Sequence, residues 1–510
     1  MINKFKYDEI KKIISFALFI LIASFLFLRL TYLFRNVNWA RSHLEGLKSA
    51  EPVDVVFVGA SSTYVFWEPP RAWKEYGITS YDYAVDSAPA ETLQGMVREA
   101  NDIASPELIV IDARPFVGWS AEDTNAVGIR NHIDSVDYSL DRLLSVKESL
   151  SYRNFDDSNT SFYFDIAKYH SNLGNLASEG AWNLINNDGT SKYYGWEFIQ
   201  SHEELTNPDY LSTESTAIAE GSEEILTKLL SYCKDNELNV LFVASPYYID
   251  KTMEEQFNYI SDVIESYGYS FLNTNNFAEE MNLDYQKDFY NTYHMNVYGA
   301  EKYTRFVANY LLENYQLNDH RNDDNKDIWQ QMYEDFVEED ATTKIFIENN
   351  IKEKKEAYET GKSLKKILNI YEWLSLIQNN NYTVLMIANN TTWADAPEKS
   401  RVDSQFSIDL SQENSVSAIR IMSGTETLYG VDSTQETDYE ASFSGHSDYL
   451  ETYKMNCGSS AKIVIEDEAV IEPTQGEVDI VIYDNNYREV LDKVCLQQNV
   501  ETGGIEIIRN

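Results

Sequence analysis

The sequence predicts a mixed α/β chain with an apolar N-terminal helix and a β-rich tail, and three observations predict it. Sixteen residues without charge, Ile13–Leu28, lie near the start. Between about residues 50 and 315, short apolar β-type runs alternate with segments whose apolar residues recur at helical spacing. That alternation predicts a parallel sheet with helices on both faces. From Asn381 onward the alternation stops, and short β-type runs are separated by polar turns.

The elements follow in order. Ile13–Leu28, extended past Arg29 to Phe34, has about the ~20 residues needed to span hydrocarbon. No small-residue cleavage pattern follows it, so an uncleaved anchor is expected over residues 1–36, with the N-terminus inside. Asn38–Ala50 reads as a short amphipathic helix. Val53–Val58 is the first strand, and Gly59 is expected to supply a tight turn after it. A helix starts at Pro70, with proline in its first turn. Ile78–Val85 is the second strand. Glu91–Ala104 is a helix, with Leu93, Met96, Val97, Ala100 and Ile103 on one face. Leu108–Asp112, Val240–Ala244 and Ser270–Thr274 are the third, fourth and fifth strands. A helix ending near Leu311 closes this region, which runs from 37 to 315. About 114–229 is too long for an ordinary crossover. It is rich in Tyr, Asn, Ser and Asp, has one helix near Ser139–Leu150, and reads as an insertion packed over the crevice mouth. Residues 316–379 read as a charged helical connector and 380–510 as a separate β-rich domain.

Composition narrows the function. The formal charge is -42, from 41 basic and 83 acidic residues. Such a surface repels phosphate backbones, and no basic patch interleaved with aromatics interrupts it, which disfavours nucleic acid as a partner. The three cysteines, Cys233, Cys457 and Cys495, form no zinc-ligand pattern. Cys457 and Cys495 could pair outside the cell, or all three could be buried thiols. No cofactor or metal signature is present.

In open parallel sheets the active crevice lies at the carboxyl ends of the strands. Ser61 sits at such an end, in "VDVVFVGASSTYVFWEPP". A serine becomes a nucleophile only with a base in reach and donors for the developing oxyanion. Of the seven histidines, His294 lies in "DFYNTYHMNVYGAEKYT", just before the last helix. That topology brings it to the same sheet edge as Ser61.

G-x-S after the first strand and H-x-N-x-x-G before the last helix together resemble the SGNH/GDSL hydrolase superfamily. "GITSYDYAVDSAPAET", "SPELIVIDARPF", "LFVASPYY" and "YFDIAKYH" are similar to blocks of its membrane-anchored bacterial members. Those members are related to the teichoic-acid D-alanine transfer protein and to alginate O-acetyltransferase-like proteins. The resemblance covers roughly residues 50–315 and implies a flavodoxin-like parallel sheet. It makes Ser61 the nucleophile and His294 the general base. The third triad position, three residues before the histidine, holds Asn291 rather than aspartate; either Asn291 or Asp288 would orient His294. The backbone N–H groups of Ser61 and Ala88 would hold the oxyanion. Arg114 and His170 are candidates for substrate binding, while Arg114 could equally pair with Asp112. Arg130 could line the mouth, although a surface role fits it as well. In the tail, "NNNYTVLMIANN" and "GEVDIVIYDNNYREVLD" resemble strands of the interleukin-like EMT inducer domain, a β-sandwich.

The resemblance implies a membrane-anchored, extracytoplasmic serine esterase or O-acyltransferase. Its partner would be a cell-surface polysaccharide or acylated glycan, and for transfer also a membrane-bound acyltransferase. The alternative is a catalytically impaired surface protein of the same fold, serving glycan binding or envelope assembly.

Overall fold

Five short strands, Val55–Gly59 (β1), Ser80–Ala84 (β2), Leu108–Asp112 (β3), Val240–Ala244 (β4) and Ser270–Asn273 (β5), form one sheet in the computed structural model. All neighbours are parallel, in the order β2-β1-β3-β4-β5. Residues 2–35, 38–172, 191–411, 416–433, 439–444, 452–457, 461–465 and 468–509 are described. Every residue of β1, β3 and β4 is buried, as a parallel sheet covered on both faces requires. Strand order reverses between β1 and β3, so their carboxyl ends diverge into a crevice.

Before the sheet come α1 (Ile2–Phe34) and α2 (Asn38–Ser49). Within α1, Glu9–Leu28 has a mean hydropathy of 2.2 and is exposed. One N-terminal helix is therefore long and apolar enough to cross a membrane. Ser61–Phe66 (α3) and Pro69–Tyr76 (α4) follow β1, and Ala90–Ala104 (α5) follows β2. The crossover from β3 to β4 holds Val127–Ile133 (α6), Leu140–Ser149 (α7), Asn159–Tyr163 (α8), Ile166–Tyr169 (α9) and Glu220–Asp235 (α10). It thus has more helix than the single one expected. α6 and α7 pack on α5, and α9 packs on α1. α6 also reaches the loop after β2, where Asn131 Nδ2 donates to Asp86 O at 3.2 Å. Part of the remainder, 173–190, lies outside the described residues. From 191 to 219 the chain runs beside the site: Glu197 N–H donates to Tyr64 O at 2.9 Å and Glu203 N–H to Phe289 O at 3.0 Å. Lys251–Ser266 (α11) joins β4 to β5, and the hairpin Phe289–Asn291 (β6) and His294–Met295 (β7) leads into Val297–Asn314 (α12).

Gly59 does not have a left-handed backbone. A Cβ there would stand 2.4 Å from both Asp112 Cβ and Thr63 Oγ1. The glycine is required by the close approach of β3 and α3, not by a tight turn.

The chain divides into two compact units, Met1–Phe346 and Ile347–Asn510, with the division inside the long helix Lys326–Ser363 (α13). In the second unit a six-stranded and a four-stranded antiparallel sheet share a core that includes Leu385, Ile421, Met455 and Ile463. The region is not purely β: Ile370–Leu376 (α14) and Pro397–Phe406 (α15) pack on the other face of the larger sheet. Cys495 is a free, buried thiol, as is Cys233, so the considered pairing of Cys495 with Cys457 is not made.

Candidate active site

Ser61 opens α3 immediately beyond β1, which places its half-buried side chain at the carboxyl edge of the sheet. His294 reaches the same edge from β7. The β6–β7 hairpin pairs Asn291 with His294, so the two side chains meet on one face. Asn296 locks that hairpin onto the following helix. Its Nδ2 donates to Lys287 O at 2.8 Å, and its Oδ1 accepts the Tyr298 N–H at 3.0 Å as the α12 cap. Gly299 lets α12 come close, since a Cβ there would stand 2.6 Å from Asp288 O. These contacts explain the H-x-N-x-x-G spacing.

Ser61 Oγ lies 2.6 Å from His294 Nε2, and His294 Nδ1 lies 3.0 Å from Asn291 Oδ1. Asn291 Oδ1 also accepts the Tyr293 N–H at 2.8 Å, which requires the oxygen, not the amide nitrogen, to face this corner. His294 must then donate from Nδ1. Its Nε2 lone pair is left to accept the Ser61 hydroxyl, as a general base must. Burial, reinforced by the Arg114 charge, pushes His294 down to about 3. The imidazole is therefore neutral at ordinary pH. Tyr290 stacks on it, with ring centroids 5.1 Å apart and planes at 11°.

Asp288 does not touch the imidazole. It is buried, and its Oδ2 accepts Lys302 Nζ at 2.6 Å and the Asp284 N–H at 2.7 Å. Of the two candidates for orienting His294, only Asn291 is in place. The Ala88 N–H donates to Val85 O at 3.2 Å, so it is committed to its own turn and is not the free oxyanion donor expected. Arg114 makes no ion pair with Asp112; Asp112 Oδ1 instead accepts its backbone N–H at 3.0 Å. The Arg114 guanidinium lies 4.0 Å over the Tyr247 ring and donates to Tyr293 O at 2.9 Å. His170 is exposed at the end of α9, and no hydrogen bond, ion pair or ring contact joins it to Ser61, His294 or Arg114 among the described residues. Arg130 is buried within the insertion, paired with Asp157 at 2.9 Å, and does not line a mouth.

Sequence reasoning missed the aromatic wall of Tyr247, Tyr290 and Tyr293. Tyr247 follows the end of β4, so the strand-end rule that singled out Ser61 would have reached it. Tyr290 and Tyr293 lie in the same stretch as His294. It also missed the buried pair behind the site, in which Ser62 Oγ donates to Asp112 Oδ2 at 2.7 Å. Among the described residues, no group of three or more His, Cys, Asp or Glu could hold a metal ion. Comparison with family models, curated proteins and solved structures returns no match.

Proposed function

We propose that residues 37–315 form a serine esterase or O-acyltransferase of SGNH type, with a flavodoxin-like sheet, held to a membrane by α1. Acyl groups of a cell-surface polysaccharide are its substrates, and the site faces the extracytoplasmic side. The observation that carries this reading is the contiguous Ser61–His294–Asn291 chain at the edge of a parallel sheet. The strand order β2-β1-β3-β4-β5, shared with flavodoxin-like folds, also supports it.

Ser61 Oγ attacks the ester carbonyl while its proton passes to His294 Nε2. The tetrahedral intermediate collapses, the ester C–O bond breaks, and the leaving alcohol takes that proton. Water or a sugar hydroxyl, giving its proton to His294 Nε2, then attacks acyl-Ser61; the acyl–Oγ bond breaks and Ser61 Oγ takes the proton back. The Ser61 N–H and the uncommitted N–H groups of Arg114 are the donors available to the oxyanion. The C-terminal unit, with its two antiparallel sheets, fits a glycan- or protein-binding role.

The test is hydrolysis of p-nitrophenyl acetate by the full chain in detergent, against Ser61→Ala. Loss of turnover in the variant is expected, and equal rates overturn the reading. The committed Ala88 N–H favours one second reading, a catalytically impaired protein of this fold that binds glycan. Absence of turnover in both proteins, with retained glycan binding, is its signature.

A further inference from the structure

The end of α1 is fixed into the folded body. Arg35, fully buried, donates from Nε to Asp165 and from Nη1 to the carbonyl of Val136. Asn172 Nδ2 donates to Phe34 O at 2.8 Å. Arg142 holds the second oxygen of Asp165 at 2.6 Å, and Tyr169 donates to Asp134. Tyr138 lies under both guanidinium groups, 4.9 Å from Arg35 and 4.5 Å from Arg142. A buried network of this kind is costly to break, because each lost partner leaves an uncompensated charge. It therefore sets where the insertion sits relative to the apolar helix.

Leu28, the last residue of the apolar stretch, is only seven residues before Arg35, about 10 Å along a helix. Exposed apolar side chains lie on the elements that hold the end of α1, among the described residues. Phe164 and Ile166 flank Asp165 and are 55% and 37% exposed. Leu140, Leu143 and Leu144 share one face of α7, with Leu140 78% exposed. Arg142, on the opposite face, reaches into the network. Lys147, one turn beyond Leu143 and Leu144, is exposed and can reach toward headgroups.

We propose that this face of the insertion, Leu140, Leu143, Leu144, Phe164 and Ile166, rests in the bilayer surface beside α1. The occupant is lipid because the patch lies on the elements that bind Phe34 and Arg35, only about 10 Å along α1 from the end of its apolar stretch, and an interfacial helix buries its apolar side about 5–10 Å deep. The insertion is then a second membrane contact that prevents the body from swivelling on its anchor. This rests on the reading of α1 as a membrane anchor.

The test uses the full chain in nanodiscs, in a Cys457→Ser background, since Cys233 and Cys495 are buried. Single cysteines at Leu140, Leu143 or Phe164 carry a bimane label, and quenching by lipids with a doxyl group high on the acyl chain is compared with quenching by iodide. Phe19→Cys reports the anchor and Leu211→Cys an exposed site elsewhere. The expected result is several-fold stronger lipid quenching at 140, 143 and 164 than at 211. Quenching at 19 but not at these three positions overturns the proposal and leaves the anchor standing. No quenching at 19 overturns the anchor reading itself. Protection of the three labels from both quenchers shows that protein covers the face, and also overturns the proposal.

Discussion

Asn291 Oδ1 accepts from both His294 Nδ1, at 3.0 Å, and the Tyr293 backbone N–H, at 2.8 Å. The second bond supplies what an asparagine at a triad position ordinarily lacks, a fixed amide orientation. In the serine-protease template, replacing the aspartate by asparagine costs about 10⁴ in turnover through the wrong tautomer. Here the tautomer is correct, and only the negative charge is missing.

Asn291→Asp should therefore raise turnover of an activated ester by about tenfold, about 1.4 kcal/mol of transition-state stabilisation. The added charge also raises the His294 pKa, so the acid limb of the kcat/KM–pH profile should move up from its position near 3. Asn291→Ala should lower turnover. An unchanged profile and rate in the aspartate variant would show that the residue does not act on the imidazole.

Particular residues show how much of this was legible in the sequence. Strands β1, β3 and β4 were, because buried parallel strands are continuous apolar runs and need no partner to be recognised; β2 and β5, which carry Ser80, Asp82, Ser270 and Asn273, were read from their place in the alternation of strands and helices. Ser61 and His294 followed from placing residues at strand ends. The choice between Asn291 and Asp288 was not legible, since a two-residue hairpin decides it and Lys302 diverts Asp288. Nor was the Ala88 N–H, whose engagement with Val85 O is a backbone fact with no side-chain signature. Gly59 was read as a turn glycine because the closeness of Asp112 and Thr63 is a tertiary property. His170 and Arg130 were misplaced because the insertion packs on α5 and α1 through buried ion pairs, and the sequence records only the charges.

His294 links stability to pH. In the folded chain burial and Arg114 hold it near 3, while unfolded it protonates near 6.5. A lowered folded value means the unfolded chain binds more protons in acid. The stability tied to this group is full above about pH 6.5 and is lost as pH falls toward 3. Between pH 7 and pH 4 the loss should be about 3 kcal/mol. Thermal midpoints of wild type and His294→Gln across that range check it: the variant should lose less. Parallel curves would refute the coupling.

Asp112 joins the start of α3 to the turn that follows β3. Its Oδ2 accepts the Ser62 hydroxyl at 2.7 Å and its Oδ1 the Arg114 N–H at 3.0 Å. Asp112→Ala should release both Ser61 and Arg114, lowering kcat by about 10²-fold, the scale of a small misplacement, with little change in KM. Asp112→Asn retains one acceptor and should recover part of that loss. A purely structural residue would lower the thermal midpoint without separating kcat from KM in this way.

Asp82 stands alone on β2, fully buried, with neither carboxyl oxygen hydrogen-bonded. Burial pushes its carboxyl well above the usual carboxylate range, so the folded chain holds it protonated. The unfolded chain ionises it near pH 4, so the folded state binds the extra proton. Its contribution to stability is full below about pH 4 and is lost as pH rises toward the raised folded value. Asp82→Asn removes the ionisation and should stabilise the N-terminal unit at pH 7. The gain should shrink to a few tenths of a kcal/mol at pH 4, where the wild-type carboxyl is neutral in the folded chain and about half ionised in the unfolded one. Thermal melts of the two proteins at pH 7 and pH 4 measure the difference directly. An offset of equal size at both pH values would mean that the substitution acts through packing, and the assignment of a neutral, buried Asp82 would fall.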